Sequence, residues 1–317
     1  MRRTIALVPG HFLADLEPLV SRLPAELVPY DAHGEPAHPA PGASVFFRWW
    51  LTPEEGDRVL GRHSSIRWVH SGSAGIDHIL TPLFLARAPQ LTNSAGVHAP
   101  SIAEWVVGAM LSVVKNLPAM ARAQERREFE KVQRPELTGQ KAVFIGAGQI
   151  ATEIAQRLAP FRMRLAALRA SGRSHEAIPS IIPFARLREE VADADWLIIT
   201  APLTKETAGI IDRALLEALP SRARVINVSR GELLDEEALA DLIGREKLAG
   251  AILDVFREEP LPPDHLFWTL PGLLVFPHTT WRSPQVKERQ LELFADNLRR
   301  FVSGEMLRNV VDPSRGY

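Results

Sequence analysis

No cysteine occurs among the 317 residues, which excludes disulfides, thiolate zinc centres, iron–sulfur clusters and cysteine nucleophiles together. A charge excess is also missing. Lys and Arg total 37 against 38 Asp and Glu, for a formal net charge of -1, so no global field would draw nucleic acid or an anionic membrane surface. Neither is expected as a partner, and a small neutral or anionic ligand held by a few local charges fits better. Long uninterrupted apolar runs are absent too: the stretch from Ile102 to Leu117 carries Glu104 and Lys115 and reads as a buried helix rather than a membrane span. The N-terminal apolar run TIALV follows two arginines, but it is shorter than a signal-peptide core and no small-residue cleavage site follows. It reads as a first strand, and the expected compartment is the cytoplasm. There is no H-E-x-x-H, no sequence repeat and no low-complexity segment, so no metal is expected and a zinc-dependent hydrolase is disfavoured.

What is present is the composition of an ordinary globular protein, with 46% hydrophobic and 24% charged residues. The length predicts two domains of about 150 residues each. In the first hundred residues, RTIALV, SVFF and IRWVH alternate with polar breaks and point to a small α/β unit. The proline-rich DAHGEPAHPAPG reads as a surface loop. SIAEWVVGAMLSVVKNL is apolar nearly all round, predicting a buried helix, and the charged ARAQERREFEKVQRPEL predicts an exposed arm after it. From Lys141 onward, KAVFI, RLAAL, ADWLIIT, RVINV, AGAILDVF and LLVF are apolar runs separated by helical segments. Such runs specify parallel strands covered on both faces, the α/β doubly wound architecture. An amphipathic helix from Pro284 to about Arg300 and a turn-rich end complete the chain.

One segment carries nucleotide chemistry on its own residues. FIGAGQIA is G-x-G-x-x-A after a strand and before the helical TEIAQRL. Gly146 permits the tight turn, Gly148 lets the backbone approach a pyrophosphate, and small Ala151 lets helix and strand pack. The N–H groups around Gln149 and Ile150, with the positive end of the helix dipole, would hold the phosphates. About 20 residues on, a carboxylate would bind the free ribose 2′-hydroxyl of NAD. Here the second strand ends instead in Arg169, with Ser171 and Arg173 close behind. Two guanidinium forks and a hydroxyl suit a 2′-phosphate. NADP(H) is therefore the expected cofactor, with NAD(H) the alternative.

The succession GAGQIA, TAPLTKETAGIID, INVSRGELLDEEAL, ILDVFREEPLP and FPHTT, with SGSAGIDHI, the AEW helix and the terminal NVVDPSRGY, resembles the D-isomer-specific 2-hydroxyacid dehydrogenase family. The pattern is most similar to the glyoxylate/hydroxypyruvate reductase branch and runs through most of the chain. The resemblance implies two Rossmann-like doubly wound parallel-sheet domains with a cleft between them. The substrate domain would comprise 1–98 plus 285–317, and the dinucleotide-binding domain 99–284.

The resemblance also assigns roles. Arg230 would clamp the substrate carboxylate and polarise the carbonyl, which suits a planar cationic fork beside a developing alkoxide. His278 would donate the proton that hydride addition to a ketone requires, with Glu259 rather than Glu258 orienting the ring and holding its imidazolium form. Asp254 matches a position near the nicotinamide carboxamide, although an Asp at a strand end can equally cap the following turn. Ala201, Pro202, Val228 and Ser229 would line the cofactor through their backbone, and Thr207 would assist the phosphates. In the first domain, the loop of Ser73, Ala74 and Gly75 would take the substrate carboxylate on backbone amides. His78 is expected to be a helix-start or interface residue. Trp49, Trp50 and Trp281 either line the pocket, favouring an apolar or aromatic 2-oxo acid, or anchor the core or a dimer surface. Arg48 is an alternative receiver for a second acidic group. Arg162 stands where the family commonly has glycine, and Thr200 where many members have histidine.

The expected activity is NADPH-dependent reduction of a small 2-oxo acid to the D-2-hydroxy acid by a homodimer joined through the helix from Ser101 and its charged arm. The competing readings are a dinucleotide-sensing module of the same fold without turnover, and the same chemistry on a bulkier apolar 2-oxo acid.

Overall fold

Five parallel strands form the sheet of the first unit: β1 (Thr4–Pro9), β2 (Ala25–Tyr30), β3 (Val45–Arg48), β4 (Trp68–Ser71) and β5 (Gln90–Thr92), in the order β2-β1-β3-β4-β5. The structure is a computed structural model that describes residues 3–129, 131–169, 172 and 174–313. β3 and β4 are buried along their whole length, as expected of strands covered on both faces. β2 and β5 are not evident from the apolar pattern. Both are edge strands: β2 contains Pro29 and exposes Glu26, while β5 is three residues long.

Helices α1 (Leu13–Val20), α2 (Pro53–Arg62) and α3 (Pro82–Arg87) cover this sheet together with the last helix of the chain, Pro284–Ser303. Helix α2 opens on a capping box in which Thr52 accepts from Glu55 N and the Glu55 carboxylate accepts from Thr52 N. Thr81 caps α3 by accepting from Phe84 N. The start of α3 at Pro82 corrects the helix-start reading of His78, which lies exposed in the preceding turn. The last helix contributes Leu291, Phe294 and Leu298 to the core. Its Phe294 ring stacks on Phe47 at 4.5 Å and on Trp68 at 5.5 Å.

The second unit begins with α4 (Ala99–Lys115) and α5 (Leu117–Glu125), which meet at a 59° bend. At that bend Asn116 is left-handed, with φ 52°. Among the described residues no single helix is long and apolar enough to cross a membrane. The bent α4–α5 pair passes that test by length and composition, but α4 buries Ile102, Val106 and Met110 in the core. Then follow β6 (Lys141–Ile145), α6 (Gln149–Leu158), β7 (Arg164–Leu168), β8 (Ser180–Ile182), α7 (Leu187–Val191), β9 (Trp196–Ile199), α8 (Arg213–Ala218), β10 (Arg224–Asn227), α9 (Glu236–Gly244), β11 (Gly250–Leu253) and β12 (Leu273–Val275). All pair in parallel in the order β12-β11-β10-β9-β6-β7-β8. The chain reverses its direction of travel through the sheet between β6 and β9, a topological switch point where α/β sheets bind ligands at strand C-termini. The last helix is α10.

The two compact units are Met1–His98 with Ser283–Tyr317, and Ala99–Arg282. The second junction falls at Ser283 rather than 285 because Ser283 belongs to α10, whose N-cap it provides by accepting from Gln285 N.

Candidate active site

At the end of β6 the chain enters the glycine turn. Gly146 has φ 101°, and a Cβ there would lie 2.8 Å from the Ala201 backbone, so only glycine lets the two loops approach this closely. A Cβ on Gly148 would meet nothing within 4 Å, so the space beside the loop is open. Helix α6 starts at Gln149 and Ile150 with Gly148 as N-cap and no side chain capping it. Its first N–H groups thus face that space with the positive helix end, while Ala151 is fully buried against the strand. These residues fit a dinucleotide pyrophosphate.

Polar side chains lace the neighbouring strand ends together. Thr200, at the end of β9, donates to Gly146 O at 3.1 Å and Ile145 O at 3.3 Å. The buried Ser229 hydroxyl donates to Ala201 O, and its backbone N–H donates to Asn227 Oδ1 at 3.1 Å. Asn227, wholly buried, also donates from Nδ2 to Arg230 O at 2.9 Å. The Arg230 guanidinium, half-buried, donates to Ser229 O at 2.8 Å. Val228 and Ala201 are buried beside this lacing, and Pro202 is exposed. The Thr207 hydroxyl is committed to its own turn, donating to Pro202 O at 2.6 Å and accepting from Thr204 N at 2.8 Å.

On the next two strands stand the carboxylates and the imidazole. Glu259 accepts from Phe256 N at 3.0 Å through Oε1 and faces His278 Nδ1 at 2.8 Å through Oε2. A carboxylate pinned in this way holds the ring with Nδ1 protonated and leaves Nε2 for chemistry. Glu258 is exposed and makes no such contact. Asp254, 1% exposed, accepts from Thr279 N at 2.9 Å and from Thr280 Oγ1 at 2.6 Å, and its own carbonyl accepts from His278 N at 2.8 Å. The carboxylate thus caps the turn after β12. Burial pushes its carboxyl above the usual range, opposed by the Thr280 and Thr279 hydrogen bonds. Arg230, Asp254 with Glu259, and His278 thus follow the C-terminal ends of the adjacent strands β10, β11 and β12. Among the described residues no three His, Asp or Glu side chains converge as a metal site.

At the end of β7, Arg169 is half-buried and donates from Nη1 to Ser174 O at 2.8 Å. Ser171 and Arg173 lie outside the described residues. Arg162, before β7, has φ 54°, the left-handed conformation that explains a glycine at this position in the family.

In the first unit, the loop after β4 places Ser73 and Gly75 half-buried and Ala74 exposed. Trp49 is half-buried in an aromatic cluster, 4.9 Å from the Phe12 ring, and a Cβ on Gly72 would lie 2.1 Å from its indole. Trp50 is 72% exposed, and Trp281 donates from Nε1 to His278 O at 3.0 Å. Arg48 is a correction. It is 5% exposed, and Nη2 donates to Leu51 O at 2.8 Å and Thr52 O at 3.1 Å, so it closes its own turn instead of awaiting an acid. Reading motifs alone misses Asn227, Thr280, Asn93, Ser94 and Gln290. Only Asn227, which interrupts the apolar run RVINV, carries a signal in its own neighbours, and each of the five is buried here.

Residues 107–280 match the model of the D-isomer specific 2-hydroxyacid dehydrogenase, NAD binding domain. A glyoxylate reductase of Thermofilum pendens is 30% identical over 265 residues, covering 81% of this chain and 78% of its own. A glyoxylate/hydroxypyruvate reductase A of Arabidopsis thaliana is 27% identical over 288 residues, covering 82% and 90%. Among solved structures, the NADPH-dependent glyoxylate/hydroxypyruvate reductase of Sinorhizobium meliloti, in complex with NADP and sulfate, superposes with a TM-score of 0.82 at 26% identity over 99% of this chain and 100% of that one.

Proposed function

Because the chain belongs to the D-isomer specific 2-hydroxyacid dehydrogenase family, we propose that it reduces a small 2-oxo acid of the glyoxylate or hydroxypyruvate class to the D-2-hydroxy acid, with NADP(H) preferred over NAD(H). The observation that carries this reading is the 2.8 Å pairing of His278 Nδ1 with Glu259, in the same strand-end array as Arg230. A bound nicotinamide dinucleotide supplies the hydride.

The chain's own residues supply the rest. Arg230 pairs its planar fork with the substrate carboxylate and places positive charge beside the carbonyl oxygen. As the carbonyl carbon gains hydride, its oxygen becomes an alkoxide, and the Arg230 cation stabilises that charge as it develops. His278 gives the oxygen a proton from Nε2, and Glu259 holds the ring through the change from imidazolium to imidazole. Gly146, Gly148, Gln149 and Ile150 receive the pyrophosphate on backbone N–H groups. Arg169 replaces the acid that would hold a free ribose hydroxyl and favours a 2′-phosphate. The S. meliloti relative that carries NADP supports the same preference. Backbone amides around Ser73, Ala74 and Gly75 take the carboxylate in the first unit's loop.

The test is oxidation of NADPH and of NADH by the pure protein against glyoxylate, hydroxypyruvate, pyruvate and phenylpyruvate. NADPH is expected to be consumed faster, on glyoxylate and hydroxypyruvate first, and Arg230→Ala is expected to lower kcat/KM by about 10²–10³-fold. Faster turnover with NADH would overturn the cofactor assignment. A preference for phenylpyruvate would move the substrate to the bulkier class. NADPH binding without turnover of any acid would favour a sensing module.

A further inference from the structure

We infer that Gln290, on α10, is a positioning residue that holds the loop after β4 in its anion-receiving conformation; the inference rests on the proposed role of that loop. Four successive carbonyls of the loop are each held by a protein donor. Gly72 O accepts from Gln290 Nε2, Ser73 O from Ser94 N at 3.1 Å, Ala74 O from Asn93 Nδ2 at 2.8 Å, and Gly75 O from the Ser73 hydroxyl at 2.8 Å. A trans peptide is planar, so holding the carbonyls of Ser73, Ala74 and Gly75 on one side aims the N–H groups of Ala74, Gly75 and Ile76 to the other, while Gln290, through Gly72 O, fixes the peptide that enters the loop, whose Ser73 N–H donates to Ser71 Oγ at 3.2 Å. The N–H groups of Ala74, Gly75 and Ile76 accordingly have no acceptor among the described residues. Three adjacent unspent amides on a loop with Ala74 exposed form a backbone receptor for a carboxylate.

Three of the four holders come from the loop itself or from the neighbouring end of β5. Gln290 comes from a helix 218 residues further along the chain and shares Gly72 O with the His98 ring. It is wholly buried, and its Nε2 also donates to Ser94 Oγ at 2.9 Å. Ser94 spends its own proton on Ser71 O at 2.8 Å, so both groups facing Nε2 act as acceptors. Turning the amide over would set oxygen against both, which fixes its orientation. Meanwhile Gln290 Oε1 has no partner among the described residues. A buried acceptor left unpaired is a cost that an apolar residue of similar size would not carry. What glutamine adds at this position is its donors, and they hold the first carbonyl of the loop.

Gln290→Met removes the donors at nearly constant volume. Because the amides grip the carboxylate equally in ground state and transition state, the expected result is a KM for glyoxylate raised roughly tenfold, with kcat within about twofold. The affinity for NADPH should not change. Oxalate, which cannot be reduced, gives a readout independent of turnover: titration calorimetry should show its Kd raised by a similar factor in the variant. A variant that folds with unchanged KM and oxalate Kd, or that loses kcat alone, overturns the positioning role and leaves the proposed function intact. If the wild type binds oxalate without reducing any acid, the proposed function fails while the oxalate comparison still decides the role of Gln290. A wild type that does neither overturns both. Gln290→Leu replaces Gln290→Met should the latter not fold. If neither folds, Gln290 is a core residue first and the inference is wrong.

Discussion

His278 sits in a conformation that its own side chain disfavours. Its φ is 51°, in the left-handed region where a non-glycine residue persists only if its surroundings insist. They do so from three sides: its N–H donates to Asp254 O at 2.8 Å, its carbonyl accepts from Trp281 Nε1 at 3.0 Å, and the following two residues are capped by the Asp254 carboxylate. The ring is thereby delivered to Glu259. This geometry predicts the effect of Glu259→Gln. The amide can still accept from Phe256 N through its oxygen, but its NH2 group then faces His278 Nδ1 and makes that nitrogen an acceptor. The neutral ring would carry its proton on Nε2, and giving it up would leave an imidazolate. We expect kcat to fall by about 10²-fold with little change in KM. A kcat within twofold of the wild type in steady-state assays would remove His278 from the proton-transfer step.

At the scale of elements, β4 and β5 bury an imidazole next to the loop that follows β4. His70 is fully buried, 2.8 Å from Thr92 Oγ1, which also accepts from Trp68 Nε1 at 2.8 Å. Burial pushes His70 down to about 3, and it pushes His98 down to about 4 with help from the nearby Arg289 charge. Both are neutral in the folded chain at pH 6, whereas the unfolded chain protonates them near 6.5. Unfolding therefore takes up protons below that pH. The stability they contribute is complete above 6.5 and is lost as pH falls, at about 1.4 kcal/mol per pH unit for each group. In His70→Gln the fall in urea-unfolding stability between pH 6 and 4.5 should be shallower than in the wild type by about that amount per unit. Above pH 7 the two slopes should agree. Identical slopes across the acid range would mean that His70 does not need to charge on unfolding.

For the whole molecule, the α4–α5 corner leaves Leu117 at 49% and Met120 at 55% exposure. We propose that this corner and the segment after it join two copies of the chain, as the resemblance to the family's dimerisation segment implies. Sedimentation at micromolar concentration should give twice the 35.2 kDa mass of the chain. The double substitution Leu117→Glu with Met120→Glu should shift it toward the monomer without unfolding it, since both residues are about half exposed. A wild type that sediments as a monomer overturns the proposal.

What the sequence by itself determined are the features whose causes lie within a few residues of one another. The continuous apolar runs dictate β6, β9, β10 and β11. The glycine turn dictates a nucleotide loop, because Gly146 and Gly148 stand where a strand meets a helix. Arg230, Glu259 and His278 are legible because each sits in a short motif at a strand end. The tertiary structure alone decided which distant groups meet. Edge strands β2, β5 and β8 are short or solvent-facing on one side, so nothing in their own residues separates them from loops. Arg48 reads as a ligand-facing cation until the chain folds the carbonyls of Leu51 and Thr52 around it. Asp254 reads as a cap for the turn that directly follows it, but its carboxylate meets Thr279 and Thr280, 25 and 26 residues away. Gln290 meets Gly72 across 218 residues. A backbone turn is set by local sterics, but a partner is set by register and packing, which exist only once the whole sheet and its helices have assembled.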